Sequence, residues 1–222
     1  MQTSDFTTKT LFDLHHTLAA QYLAQFEFPW QALKGLSAFL ASLVKTLGDD
    51  YEELADGVFV HKTAKIAPTA FLAGPCVIGA GTEVRHGAFV RGSVLVGEGC
   101  VVGNSVELKN AVLFDKVQVP HFNYVGDSIL GYKSHMGAGA ITSNVKSDRS
   151  PVAVKCGNER LETGLKKCGA MLGDYVEIGC NSVLNPGTVI GRNTSVYPLS
   201  SLRGAYPADS IVKDGGRVAP KQ

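Results

Sequence analysis

The sequence predicts an all-β fold: a left-handed parallel β-helix of hexapeptide repeats, with a short α-helical N-terminal segment and a hairpin insertion. One observation is a branched aliphatic residue recurring every six positions over much of the stretch from Val60 to Leu202. A second is glycine, at 25 of 222 residues, well above its usual share of about 7%. A third is the low charged fraction, 18%, against a usual value of roughly 25%. Stacked coils with glycine at their turns account for all three.

The N-terminal segment, residues 1–56, precedes the repeat. Leucines and aromatic residues recur at helical spacing over 9–26 and again over 30–47, where the pattern opens after Pro29. This spacing predicts two amphipathic helices. Because the open end of a β-helix exposes unpaired strand edges, we expect these helices to cap that end or to pack on one face of the prism.

Residues 57–210 carry the repeat and form the predicted β-helix domain. A period of six fits a short strand plus a turn with one large inward residue, and three such units make one coil of about 18 residues. The spacing shortens to five before Leu113 and Leu130. Cys76 and Cys100 fall at small inward positions and are predicted core residues. The aliphatic series is Val60, Ile66, Leu72, Ile78, Val84, Val90, Val96, Val102, Leu108, Leu113, Val119, Val125, Leu130, Met136, Leu172, Ile178, Leu184, Ile190, Val196 and Leu202.

An insertion at 145–171 interrupts the repeat. Its stretch PVAVKCGNERLETG reads as two strands around a Gly157–Asn158 turn, which predicts a hairpin arm. It returns to the repeat through Lys166 and Lys167. Residues 211–222 are predicted to form a C-terminal tail.

The net charge of +1 gives no basic footprint for nucleic acid and no polybasic membrane patch. No apolar run is long enough to span a bilayer, and the N-terminus lacks the pattern of a signal peptide. Five cysteines without a zinc-type pair favour reduced thiols. We therefore expect a cytoplasmic protein that binds neither nucleic acid nor membrane.

Polar residues concentrate in 106–144, which also contains both five-residue steps. With about 18 residues per coil, Arg91, Lys109 and Asp127 are expected to lie roughly one above another. Arg91 and Lys109 on this edge are suited to an anionic group such as phosphate. Glu107 and His121 are expected to approach across neighbouring coils, where a carboxylate can orient an imidazole for proton transfer. The backbone amides of Gly137–Ala140 are expected to be accessible to a carbonyl oxygen or a pantetheine arm.

Five motifs, VELKN, KVQVPH, HFNYVGDS, MGAGAITSN and TGLKKCGAMLGD, give the chain a specific resemblance over roughly 60–205. It resembles the acetyltransferase half of bifunctional UDP-N-acetylglucosamine pyrophosphorylase/glucosamine-1-phosphate N-acetyltransferase, most nearly the archaeal-type sugar-1-phosphate nucleotidylyltransferase/acetyltransferase enzymes. The resemblance implies an acetyl-CoA-dependent N-acetyltransferase of UDP-N-acetylglucosamine biosynthesis. It also implies a homotrimer with acetyl-CoA bound between adjacent β-helices, and no metal.

The same resemblance implies residue roles. His121 matches the general base and Glu107 the acidic residue that supports it. The implied substrate-binding residues are Arg91, Lys109, Tyr124, Asn144, Lys167 and His135, and the implied coenzyme-site residues are Ala138, Cys180 and Pro198. Four positions depart from the bacterial pattern: His135 replaces Asn, Cys180 replaces Ser, Pro198 replaces a small residue, and Val145 replaces an aromatic residue.

Two other function classes stay open. One is a non-catalytic subunit that binds a sugar phosphate or nucleotide sugar, which the altered coenzyme positions would permit. The other is a metalloenzyme resembling γ-carbonic anhydrase, with His86, His121 and His135 as the only candidate zinc ligands. No pyrophosphorylase activity is expected, because residues 1–55 contain no glycine-rich basic loop and are too few to build a Rossmann-like domain.

Overall fold

The repeat winds into a left-handed parallel β-helix of about nine turns, seen in a computed structural model that describes residues 1–221. Residue 222 of the predicted tail lies outside the described residues. Strands β1 to β25 are, in chain order, Tyr51–Ala55, Val58–His61, Lys65–Ile66, Phe71–Leu72, Cys76–Ile78, Glu83–Val84, Phe89–Val90, Val94–Val96, Val101–Asn104, Glu107–Leu113, Gln118–His121, Tyr124–Leu130, His135–Met136, Ile141–Thr142, Ala153–Cys156, Glu159–Glu162, Ala170–Leu172, Glu177–Ile178, Val183–Leu184, Thr188–Ile190, Ser195–Val196, Ser201–Leu202, Ala205–Tyr206, Ser210–Lys213 and Arg217–Pro220.

The strands form a prism with three faces. Face 1 contains β2, β5, β8, the C-terminal halves of β10 and β12, then β17, β20 and β23. Face 2 contains β3, β6, β9, β11, β13, β18, β21 and β24. Face 3 contains β4, β7, the N-terminal halves of β10 and β12, then β14, β19 and β22. All pairings within the prism are parallel.

The predicted aliphatic columns fill the prism. Of that series, only Ile66 and Leu72, in the first coils, are partly exposed. Cys76 and Cys100 are buried as predicted, and burial raises the pKa of each thiol to about 12. The hexapeptide period therefore reports the true inward direction of each strand.

Three corners join the faces, and two of them contain most of the predicted site residues. Corner A joins face 3 to face 1 at residues 91–93, 109–110, 126–127, 143–144, 185–187 and 203–204. Corner C joins face 2 to face 3 at residues 86–87, 104–105, 121–122, 138–139, 180–181 and 198–199. Both five-residue steps fall at corner A, where Asn110 and Asp127 turn the chain with φ of 49° each. As a result β10 and β12 run through this corner as seven-residue strands.

The N-terminal segment packs on face 1, through contacts of its helical turns with β8 and β12. Outward-facing side chains of this face, such as Val77, Leu95 and Ile129, are therefore fully buried. The helices are α1 Thr8–Leu11, α2 Ala20–Leu23 and α3 Leu36–Leu43, with 3₁₀ turns at Thr3–Phe6, Leu14–His16, Pro29–Gly35 and Val44–Thr46. No helix of the described chain is long and apolar enough to cross a membrane.

The predicted continuous helix over 9–26 is wrong, because its backbone bonds to the prism instead of to itself. The Asp174 N–H donates to Leu11 O at 3.1 Å, and the Asp115 N–H donates to His16 O at 3.0 Å. The Asp174 carboxylate accepts the Asp13 N–H at 2.7 Å. By contrast, 29–46 is helical throughout, in the order 3₁₀, α, 3₁₀.

The predicted hairpin arm is confirmed: β15 and β16 pair antiparallel. The arm docks on corner A of the later coils, where Gly187 and Gly204 have positive φ. A Cβ on Gly187 would lie 2.9 Å from Ala153 O, and one on Gly204 would lie 2.7 Å from Lys155 O. In the described part of the tail, β25 folds back antiparallel on β24.

Candidate active site

Asp127 is the centre of a polar cluster at corner A. Its side chain is only 4% exposed. It accepts hydrogen bonds from Lys109 Nζ at 2.9 Å, from Asn110 Nδ2 at 2.8 Å and from Asn144 Nδ2. The left-handed backbone that Asp127 adopts is one that Asp tolerates better than most residues. The buried carboxylate therefore fixes two of the predicted substrate-binding side chains, Lys109 and Asn144.

Tyr124 and Asn144 form the second contact of the cluster, since Asn144 Nδ2 also donates to Tyr124 Oη at 3.2 Å. Burial, with the nearby Asp127 and Glu107 carboxylates, raises the pKa of the Tyr124 phenol. The phenol therefore stays protonated at neutral pH and keeps its O–H as a donor.

Arg91 and Glu107 form an ion pair beside this cluster, with Arg91 Nη1 2.7 Å from Glu107 Oε1. Their strands are adjacent on face 3, where Phe89 pairs with Glu107 and Glu107 with Tyr124. Arg91 and Lys109 therefore lie one coil apart on one edge, as the repeat predicts. Each of the two cations is, however, already paired with a carboxylate, so the edge is close to neutral overall.

Lys167 flanks the same corner. The two residues after it are hydrogen-bonded to the cluster's backbone: the Cys168 N–H donates to Asn144 O at 2.9 Å, and the Gly169 N–H to Asp127 O at 2.8 Å. Its side chain is exposed and, among residues 1–221, has no carboxylate within ion-pair distance. Lys167 is therefore an uncompensated positive charge beside the cluster.

His121 lies at corner C, exposed at the end of β11. The buried Asn123 fixes the turn that follows it. Asn123 Oδ1 accepts the His121 N–H at 3.1 Å, and Asn123 Nδ2 donates to Gly137 O and Ala140 O at 2.9 and 3.0 Å. These bonds anchor the His121 backbone to the next coil.

The expected contact between Glu107 and His121 is absent from the described chain. Strand register places Glu107 beside Tyr124 and His121 beside Asn104. The Glu107 carboxylate binds the Arg91 guanidinium instead. Within one chain, the predicted base thus lacks the hydrogen bond expected from its supporting carboxylate.

The three predicted coenzyme residues lie in one column with His121. The Gly139 N–H donates to His121 O at 3.0 Å, the Asn181 N–H to Ala138 O at 2.9 Å, and the Leu199 N–H to Cys180 O at 2.9 Å. These repeated bonds place His121, Ala138, Cys180 and Pro198 on four successive coils of corner C. Neighbouring strands are about 4.8 Å apart, so the column is roughly 14 Å long.

The expectation that the Gly137–Ala140 amides are accessible needs correction. Three of them are used inside the β-helix: the Gly137, Gly139 and Ala140 N–H groups donate to Ile178, His121 and Gly137 carbonyls. Within the described chain, only the Ala138 N–H of this stretch has no acceptor. One backbone donor is therefore available beside His121.

His135 lies apart from the other predicted substrate residues. It sits on face 2, where its Nδ1 is 2.8 Å from Glu177 Oε2, whereas Glu107 and Tyr124 lie on face 3. One chain therefore does not assemble the complete predicted set. The sequence assigned no role to Asp127 or Asn123, although the coil of about 18 residues predicts Asp127 in one column with Arg91 and Lys109.

The cysteines differ sharply in exposure. Cys180 is exposed, while Cys156 and Cys168 are buried with Cys76 and Cys100. Burial raises the pKa of Cys168 to about 12. Among residues 1–221, no three His, Cys, Asp or Glu side chains form a group that could hold a metal ion.

Comparison with known proteins gives one family and several relatives. The family described as the GMPPB C-terminal domain matches residues 72–194. The bifunctional protein GlmU of Methanococcus maripaludis is 31% identical over 186 residues, covering 82% of this chain and 45% of the relative. The bifunctional sugar-1-phosphate nucleotidylyltransferase/acetyltransferase of Sulfurisphaera tokodaii is 31% identical over 174 residues, covering 77% of this chain and 43% of the relative. The chain thus spans less than half the length of these relatives.

Among solved structures, the acetyltransferase domain of PglB from Neisseria gonorrhoeae, in complex with acetyl coenzyme A, is similar with a TM-score of 0.35 and 15% identity. The match covers 84% of this chain and 67% of that one.

Proposed function

The chain belongs to the GMPPB C-terminal domain family, and from that premise we propose that it is an N-acetyltransferase. It transfers acetyl from acetyl-CoA to the amine of an amino-sugar 1-phosphate, in the cytoplasm and as a homotrimer. The observation that carries this proposal is the column of His121, Ala138, Cys180 and Pro198, which lies across face 3 from the Asp127 cluster. Relatives whose names include acetyltransferase, at 31% identity, support it.

The acceptor is proposed to bind across face 3, with its phosphate at corner A. Lys109 and Lys167 hold the phosphate, and Arg91 joins them by exchanging Glu107 for a phosphate oxygen. The alternation of Arg91, Glu107, Lys109 and Asp127 suits a ligand that carries a positive amine as well as a negative phosphate. Asn144 and Tyr124, held by Asp127, orient the sugar.

His121 is the proposed general base. It takes a proton from the acceptor ammonium, and the freed amine attacks the thioester carbonyl carbon. The new N–C bond forms, and the C–S bond breaks with its electron pair leaving on sulfur. The attacking nitrogen then gives up its second proton, which protonates the leaving thiolate, so the products are the amide and the thiol of coenzyme A. The Ala138 N–H is proposed to stabilise the negative charge on the former thioester carbonyl oxygen in the tetrahedral intermediate, an effect typically worth a few kcal/mol.

Glu107 is proposed to support His121 once the acceptor phosphate has replaced it on Arg91. When phosphate displaces it from Arg91, its carboxylate is free to turn toward corner C and favour the imidazolium of His121. In the acceptor-free chain it keeps Arg91 in place. The proposal thus makes the support of the base dependent on acceptor binding.

The separation of His135 from the Asp127 cluster supports a trimer. A ring in which face 2 of one chain meets face 3 of the next brings His135 of one chain toward the acceptor residues of its neighbour. Face 1 is unavailable for such a contact because the N-terminal segment covers it.

The test is acetyl-CoA-dependent release of free thiol with a panel of acceptors that includes glucosamine 1-phosphate and UDP-glucosamine. We expect release that requires an amino sugar with a phosphate at C1. Acceptor binding without release favours the non-catalytic subunit. Hydration of carbon dioxide to bicarbonate, together with stoichiometric metal in the purified protein, favours the metalloenzyme. Nucleotidyl transfer by the same preparation would contradict the expected absence of pyrophosphorylase activity.

A further inference from the structure

A second basic pocket lies on corner A, beside the proposed acceptor site and under the hairpin arm. We call it the arm pocket. Its main cavity, of about 310 Å³, is lined by Ser143, Lys146, Asn185 and Arg203 among others. A smaller cleft, sharing Lys146 and Arg203 with it, adds Lys155 and Arg160 from the two strands of the arm. Neither Lys155, Arg160 nor Arg203 has a part in the proposed reaction.

The arm pocket is a rigid part of the fold. Val152 and Val154 of the arm are fully buried. The arm backbone also packs so closely on Gly187 and Gly204 that a Cβ at either position would clash with a carbonyl oxygen. Packing therefore fixes the arm backbone that carries Lys155 and Arg160 relative to corner A, while the charged side chains of Lys155, Arg160 and Arg203 are themselves exposed.

The pocket carries a net positive charge, although Asp148 also lines its main cavity. Lys146 Nζ lies 3.5 Å from Asp148 Oδ2, and Arg160 Nε lies 2.6 Å from Glu162 Oε1. In the described part of the chain, Lys155 and Arg203 have no carboxylate within 4.0 Å. Two cations thus remain uncompensated in a concave site, which suits an anionic ligand.

The pocket lies on the coils of corner A that follow the acceptor site. The Ser143 N–H donates to Leu184 O at 2.8 Å, and the Asn185 N–H donates to Leu202 O at 2.9 Å. Asn144, Asn185 and Arg203 therefore occupy three successive coils of corner A, which spans roughly 10 Å. An acceptor whose phosphate lies near Asn144 and Lys167 has room to extend toward Arg203.

We propose that the arm pocket binds the outer phosphate and nucleoside of the acceptor, so that the acceptor is an amino sugar linked to a nucleoside diphosphate. A bare sugar 1-phosphate leaves Lys155 and Arg203 without a ligand. This inference rests on the proposed acetyltransferase function. Coenzyme A also contains a nucleoside diphosphate, but its proposed column is corner C, at the opposite edge of face 3.

The experiment compares glucosamine 1-phosphate with UDP-glucosamine in the thiol-release assay, for the wild type and the Arg203→Gln and Lys155→Gln variants. Arg217→Gln is the matched control, since Arg217 is an exposed arginine on β25 that lines neither cavity of the arm pocket. We expect UDP-glucosamine to have the higher kcat/KM in the wild type. Each pocket variant should lower that value at least tenfold, while kcat/KM for glucosamine 1-phosphate and KM for acetyl-CoA change less than twofold.

Three results would overturn the proposal: equal loss for both acceptors, no preference for UDP-glucosamine, or a rise confined to the KM for acetyl-CoA, which would make coenzyme A the source of the diphosphate. If no acceptor releases thiol, the acetyltransferase proposal fails separately. Calorimetry with UDP-glucosamine then still tests the pocket: binding to the wild type that weakens tenfold in Arg203→Gln supports it, and no binding contradicts it.

Discussion

Asp127 is the residue on which the acceptor side of the site depends. The repeat predicts Asp127 in one column with Arg91 and Lys109, but it does not predict the hydrogen bonds that Asp127 accepts from Lys109, Asn110 and Asn144. Hexapeptide periodicity predicts which side chains point inward. It does not predict pairing among the residues at a corner, since that depends on φ and on side-chain direction.

Asp127→Asn tests this dependence. Asn keeps the shape and tolerates the left-handed backbone, but it removes the negative charge that Lys109 and Asn144 bind. We expect a loss of about 1–3 kcal/mol in the free energy of unfolding and at least a tenfold rise in KM for the acceptor, with KM for acetyl-CoA unchanged. Urea unfolding and initial rates measure the two effects. An unchanged acceptor KM would show that Asp127 does not position the acceptor residues.

Cys180 gives an independent test of the coenzyme column. Alkylation requires a thiolate, and with pKa values of about 12 the buried Cys76, Cys100 and Cys168 stay protonated at pH 8. Iodoacetamide should therefore label the exposed Cys180 first in the native protein, and saturating acetyl-CoA should slow that labelling at least tenfold. Peptide mass spectrometry locates the label. Labelling of Cys180 at the same rate with and without acetyl-CoA would place the coenzyme elsewhere.

The N-terminal segment shows where element prediction from sequence succeeds and fails. The pattern after Pro29 predicts a helical stretch, and the structure has one over 29–46. The equally good pattern over 9–26 fails because the carbonyls of Leu11 and His16 bond to Asp174 and Asp115, more than ninety positions away in sequence. The spacing of apolar residues within a short segment cannot predict hydrogen bonds to residues so far away in the sequence.

Asp174 is the anchor of that segment. Its side chain is fully buried and accepts the N–H groups of Asp13 and Tyr132 at 2.7 and 2.8 Å, while Arg192 Nη2 lies 3.0 Å away. Asp174→Ala leaves buried donors unpaired, each at a penalty of about 1–3 kcal/mol. We expect a loss of about 2–5 kcal/mol in stability and faster proteolysis within residues 1–50. Asp56→Ala, at an exposed position without a positive φ, is the control. Equal effects of the two substitutions would contradict the anchoring role.

At the scale of the whole molecule, one face of the prism is covered and two are accessible. The hexapeptide repeat predicts the β-helix because every coil repeats the same inward pattern. It carries no information on which face the helical segment covers or on where the arm docks, since both depend on outward side chains that do not follow the period. For the same reason, the repeat does not predict that His135 lies on face 2 while Lys109 lies at the edge of face 3.

Mixing two inactive variants tests whether the site is shared between chains. We expect His135→Ala and Lys109→Ala each to lower activity strongly when pure. After unfolding and refolding together in equal amounts, about one site in four should combine an intact face 2 with an intact face 3 from neighbouring chains. The mixture should therefore recover about a quarter of wild-type activity, and light scattering should give a trimer mass. No recovery would place the whole site in one chain.

Whether His121 is the base of an acetyl transfer is decided by comparing His121→Ala with His86→Ala as its control. Both histidines are exposed on corner C, two coils apart, so the two substitutions remove the same side chain from equivalent corners. Thiol release from acetyl-CoA is measured with the best acceptor of the panel. We predict that His121→Ala lowers kcat at least 10²-fold with the oligomeric state unchanged, while His86→Ala stays within twofold of the wild type. Full activity in His121→Ala, or an equal loss in both variants, would contradict the account.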